Sequence, residues 1–164
     1  MVINDFNKFN QIIQSLNLKN KGRIIALDVG SKRIGVASCD DQRIFVLPKL
    51  IITRKSNLID FQKIKEIIIE TNAEIIVIGY PLDQDNQQNN MTNFIEKFAN
   101  NLNQFLDQAF NKSFLIILFD ERYSSFTARM INHQYLKSNK SKKFYDDVSA
   151  SLILEHFLQQ VNQS

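Results

Sequence analysis

Three sets of acidic residues, far apart in the chain, stand where apolar runs stop or start. Asp28 closes RIIALD, Asp120 and Glu121 follow FLIILF, and Asp146 and Asp147 precede VSASLILEHFL. In an open α/β sheet, chemistry gathers at the carboxyl ends of the parallel strands, so folding can bring these sets together. Close carboxylates raise one another's pKa unless a cation compensates. The chain has 1 Cys and 2 His, so soft metal ligands are nearly absent. Any metal here is held by carboxylates, which points to Mg²⁺ or Mn²⁺. Two such ions, roughly 3.5–4 Å apart, clamp the attacking water and the leaving oxygen of a phosphodiester. Mg²⁺ keeps several of its waters, so three acids are enough.

Each acid also has a plainer role open to it. Asp28 can be a strand-end turn residue. Asp120 or Glu121 can pair with Arg122, and because strand neighbours face opposite sides, only one of the two points into a shared site. Asp146 or Asp147 can be an N-cap. What sets them apart is that all three positions fall at the ends of apolar elements.

The cations are segregated. Residues 19–54 hold eight basic side chains (Lys19, Lys21, Arg23, Lys32, Arg33, Arg43, Lys49, Arg54) against three acids, whereas residues 55–112 hold five against eight. A second basic run, KSNKSKK, spans Lys137 to Lys143 and includes Lys140 and Lys142. Basic segments flanking isolated acids suit a polyanion-binding face, although solvated lysines would look the same. Gly30 and Gly35 bracket Lys32 and Arg33, so a tight hairpin there would bring backbone and two cations to a phosphate. The same D-x-G-x-x-x-x-G pattern occurs in actin-like ATPases, but those need two facing domains, more than 164 residues supply.

These residues need a scaffold. The length suits one domain, and 44% hydrophobic residues can fill its core. Ile3, Phe6, Ile13 and Leu16 predict an amphipathic helix over 3–16, an extension spanning residues 1–21 ahead of a domain at 22–164. RIIALD and IGVAS predict a hairpin, and IFVLPKLIIT a third strand with Pro48 marking an edge or bend. Leu58, Phe61, Ile64, Lys65 and Ile68 predict a helix face. EIIVIGYPL and FLIILF predict strands buried on both faces. A helix over 93–110 lies between them, with Asn93 and Glu96 as a capping box. A shorter helix starts near Ser124 or Ser125, and the last begins at Asp146–Asp147 and runs to about Val161. The order implies a mixed α/β sheet with right-handed crossovers. The longest apolar runs are far too short for a membrane span, and the first fifteen residues do not read as a secretory signal, so a soluble, cytoplasmic protein without a membrane partner is expected.

IALDVGSKRIGVASCD, IIVIGYPL, DERYSS and DDVSASLILEHFL, in that order and spacing, resemble the YqgF-type (RuvX) family over roughly residues 22–160. These are RNase H-like, Holliday-junction-resolvase-like proteins to which nuclease action at the 5′ end of pre-16S ribosomal RNA is assigned. The resemblance implies an RNase H-like five-stranded sheet of order 3-2-1-4-5 flanked by helices. It places the family's acids on Asp28, Glu121 and Asp146. Two features depart from the family pattern: residues 83–90 carry no glycine, and the small pair after the last acid is Ser149-Ala150.

The expected activity is metal-dependent phosphodiester hydrolysis, with Asp28, Glu121 and Asp146 as catalytic metal ligands for Mg²⁺ or Mn²⁺. Lys32, Arg33 and Arg122 would contact phosphates, and Lys140, Lys142 and Lys143 would guide the strand. The substrate would be pre-rRNA, alone or in a ribosomal precursor particle. Branched DNA cut by a resolvase and a non-catalytic nucleic-acid-binding assembly factor are the alternatives. Cys39 reads as an inert thiol and His133 and His156 as surface residues. Tyr80 and Tyr123 could stack on a base or only cap the core.

Overall fold

The computed structural model describes residues 1–3, 22–82, 89–120 and 142–163, with the side chains of 142–147 and 162–163 outside that description. Six strands form one sheet: β1 (Val2–Ile3), β2 (Arg23–Val29), β3 (Arg33–Cys39), β4 (Val46–Thr53), β5 (Ala73–Tyr80) and β6 (Leu115–Asp120). Three helices accompany them: α1 (Asn57–Thr71), α2 (Asn90–Phe110) and α3 (Lys142–Gln163).

The sheet order is β1-β6-β5-β2-β3-β4. Its five long strands, counted in chain order, lie as 3-2-1-4-5, as expected. The sixth strand was not expected: Val2–Ile3 pairs in parallel with Ile116 and Ile117 at the far edge. The Met1 ammonium donates to the Phe114 carbonyl at 2.7 Å and fixes that edge. The amphipathic stretch predicted from residue 3 therefore opens in a strand, and 4–21 lie outside the described residues.

β2 and β5 are apolar without alternation because both of their faces are covered. Ile25, Leu27, Ile76, Ile78, Ile116 and Leu118 face α1 and α2. Ile24, Ala26, Ile75, Val77, Ile117 and Phe119 face α3, which lays Ala150, Ile153, Leu154, Phe157 and Leu158 upon them. β4 forms the other edge, with its register slipping opposite Pro48, which cannot donate to a ladder.

Several boundaries move from the expected ones. In α1 the buried set is Asp60, Phe61, Ile64, Ile67, Ile68 and Thr71, and Leu58 is exposed. α2 starts three residues earlier than predicted: its capping box is Asn89 with Thr92, not Asn93 with Glu96. α3 starts at Lys142, so Lys142 and Lys143 open the helix instead of ending a loop, and Asp146 lies too far inside it to be an N-cap. The predicted short helix after Ser124 lies outside the described residues.

Candidate active site

Asp28 is the penultimate residue of β2, half-buried and paired with Gly35 across the hairpin. It follows Ile24 and Ala26 in alternation, so it stands on the α3 face. Just beyond it the chain turns tightly. The Gly30 N–H donates to the Arg33 carbonyl at 2.9 Å. A Cβ at Gly30 would lie 3.1 Å from that oxygen, a contact tighter than ordinary packing. Lys32 and Arg33 lie in the turn, both exposed. Asp28, Gly30, Pro81, Leu82, Asn90 and Met91 help line a cleft of about 560 Å³ at this end of the sheet.

The turn is braced from beneath by Arg54, a residue that sequence reasoning counted only as one surface cation. Its Nη1 donates to the Gly30 carbonyl at 3.2 Å, its Nε to Asp60 Oδ2 at 3.1 Å, and its Nη2 to Asn57 Oδ1 at 2.9 Å. Asp60 is 0% exposed. One signal could have revealed this pair: Asp60 sits at helical spacing with Ile64, Ile67 and Thr71, an acid on an apolar stripe.

Asp120 and Tyr80 are register partners at the ends of β6 and β5. Both alternate with the residues that face α1 and α2, so Asp120 points away from the face that carries Asp28. β5 also lies between their strands, which puts the two backbones about 9–10 Å apart. Tyr80 is buried, and its hydroxyl donates to Glu96 Oε1 at 2.6 Å. The stacking role considered for Tyr80 is thereby excluded; it caps the core.

The direction of α3 follows from its far end. Glu155, Leu158 and Gln159 border a groove with the 42–46 turn, which lies at the amino end of β2, where Arg23 pairs with Asp41 at 2.8 Å. The first turns of α3 therefore run toward the carboxyl end of β2, on the face that Asp28 occupies. His156, expected at the surface, is only 8% exposed. It adjoins Phe157 and lies one turn from Ile153, on the flank of the packed stripe. Burial pushes its imidazole below the ordinary histidine value, against a smaller opposite pull from Glu155. Cys39 is buried and its thiol is pushed up by desolvation, in keeping with an inert role.

Glu121, Arg122, Tyr123, His133 and Lys140 lie outside the described residues. The side chains of Lys142, Lys143, Asp146 and Asp147 do so too. Among the described residues no three His, Cys, Asp or Glu side chains gather to hold a metal ion. What the described end of β2 offers is one carboxylate, Asp28, with the amides of Asn89 and Asn90, the thioether of Met91 and apolar neighbours, and no thiol or imidazole; its carboxylate and amide oxygens are donors that fit a hard cation. Among the described residues no helix is long and apolar enough to cross a membrane.

Comparison with known proteins adds to this geometry. A family model described as "RuvX: Holliday junction resolvase" matches residues 22–160. A protein of Ehrlichia ruminantium (strain Welgevonden), named "Putative pre-16S rRNA nuclease", is 35% identical over 162 residues, 98% of this chain and 97% of its own. A Malacoplasma penetrans (strain HF-2) protein of the same name is 38% identical over 148 residues, 89% of this chain and 97% of its own. Among solved structures, Thermus thermophilus RuvC in complex with a Holliday junction substrate superimposes with a TM-score of 0.55 at 7% identity, covering 85% of this chain and 96% of that one. At that identity the likeness speaks for the RNase H-like fold alone.

Proposed function

The chain belongs to the RuvX family of Holliday junction resolvases, and from that we propose that it is a nuclease, a metal-dependent hydrolase that matures the 5′ end of pre-16S rRNA. The observation that carries this reading is the position of Asp28: the carboxyl end of the central strand, on the face toward which the first turns of α3 run. Helical spacing of four and seven residues from Ala150 and Ile153, which pack on that face, is the reason to expect Asp146 there. Asp120 stands on the opposite face, and the second acid of this reading is the Glu121 that the family resemblance names. Asp28, Glu121 and Asp146 would then hold Mg²⁺ or Mn²⁺. Such an ion, when bound, lowers the pKa of water and offsets charge on the phosphoryl oxygens. The chain's own part is to align and to neutralise. Lys32 and Arg33 meet phosphates at the turn, with Arg122, Lys140, Lys142 and Lys143 as further contacts.

The 35% and 38% identical relatives carry the rRNA nuclease name, and this favours pre-rRNA, free or in a ribosomal precursor particle in the cytoplasm. Branched DNA is the second reading, favoured by the family description. The test is to incubate purified parent and Asp28→Asn with a 5′-extended 16S precursor RNA and with a four-way DNA junction, each with Mg²⁺ or EDTA. The parent should trim the RNA only with Mg²⁺, and Asp28→Asn should lose at least about 10²-fold in rate. Equal rates for the two proteins would remove the catalytic role. Cutting of the junction in preference to the RNA would transfer the function to branched DNA.

A further inference from the structure

Arg54 ties three parts of the molecule together at the carboxyl end of β2. Its guanidinium reaches the turn through the Gly30 carbonyl and α1 through Asp60 and Asn57. It also lies over the Phe94 and Phe98 rings of α2, at 5.1 and 5.2 Å from their centroids. Its backbone N–H donates to the Lys32 carbonyl at 3.0 Å, so the turn is held at both of its ends. Asp60 is in turn fixed by the Lys55 N–H, which donates to its Oδ1 at 3.1 Å.

This is a costly arrangement. The Arg54 side chain is 12% exposed and Asp60 fully buried. A buried ion pair is a weak source of stability, and apolar residues of similar volume often do as well or better. Apolar residues cannot hold the Gly30 carbonyl, and neither can a lysine serve three separate acceptors from one plane. Gly30 lies two residues after Asp28 and two before the Lys32 side chain. We propose that Arg54, fixed by Asp60, is a positioning residue that holds the Gly30 turn and so keeps Asp28, Lys32 and Arg33 in register with the scissile phosphate. This inference rests on the nuclease reading, and its test separates the two.

The informative protein is the double variant Arg54→Met/Asp60→Leu, which removes one charge of each sign and leaves the net charge of the chain unchanged. Its urea midpoint should match or exceed the parental one. Its kcat on the precursor RNA should fall about 10²-fold, the scale of a small misplacement remote from the chemistry. Amide hydrogen exchange over residues 29–33 should quicken. Arg54→Lys, which keeps the charge but not the fork, should fall between the two proteins in kcat. A purely structural role predicts the opposite: lower stability with parental kcat in the folded fraction. A folded double variant with parental kcat and parental exchange at 29–33 overturns the proposal. If the double variant does not fold, parental kcat and exchange in Arg54→Lys overturn it instead. If the parent itself cuts no nucleic acid, the nuclease reading has failed, and exchange at 29–33 alone then decides whether Arg54 holds the turn.

Discussion

Phe157→Ala tests whether α3 is held on the sheet in the way that brings position 146 toward Asp28. Phe157 is 0% exposed and meets Phe119 edge to face, with ring centroids 5.7 Å apart and planes at 83°. Truncating a buried Phe to Ala costs about 3–5 kcal/mol, part transfer and part cavity. The edge-to-face contact accounts for about 0.5–1.5 kcal/mol of that. A domain of this kind has about 5–15 kcal/mol in all, so the loss is a large fraction of its stability. At this chain length each kcal/mol moves the Tm by about 2–4 °C, which predicts a fall of about 6–20 °C. The assay is urea and thermal unfolding followed by far-UV circular dichroism, with an unchanged m-value showing that stability alone has moved. Leu58→Ala is the control: Leu58 is 62% exposed, and its loss should stay within about 0.5 kcal/mol. A Phe157→Ala protein within about 1 kcal/mol of the parent would refute the packing of α3, and with it the reason for expecting Asp146 on Asp28's face.

Two further outcomes are expected. Lys32→Ala and Arg33→Ala should each weaken RNA binding and reduce the slope of log K against log salt by about 0.7, because each removes one phosphate contact; unchanged slopes in both would deny the turn that role. The imidazole of His156 is held below its ordinary value, so the unfolded chain takes up its proton first as pH falls. Stability from this group is whole above about pH 6.5 and declines below it until the lowered folded value is reached. Urea midpoints measured from pH 7.5 down to 5 should therefore fall more steeply for the parent than for His156→Gln, and parallel curves would contradict the burial.

Much of the architecture was legible in the chain because burial on both faces leaves a direct mark. The doubly apolar runs RIIALD, EIIVIGYPL and FLIILF read as strands covered on both faces, and Pro48 marked the edge. Helix limits were less legible. Asn89 outcompeted Asn93 as the cap because Thr92 could return its bond, and α3 ran back to Lys142 through residues whose sequence reads as a basic loop. Val2–Ile3 escaped notice because a two-residue strand has no periodicity, and its edge site on β6 exists only after the sheet has formed.

For the site, local sequence determined residue type: an acid at the end of β2, two cations in a turn, and acids where β6 ends. That Asp120 turns away from Asp28 is a matter of register across β5, and register is settled by how whole faces bury. The pairing of Arg54 with Asp60 beneath Gly30 belongs to the tertiary structure for the same reason. A charge is read from sequence as solvated, and only the packing of α1, α2 and the β2–β3 turn around one guanidinium withdraws it from water.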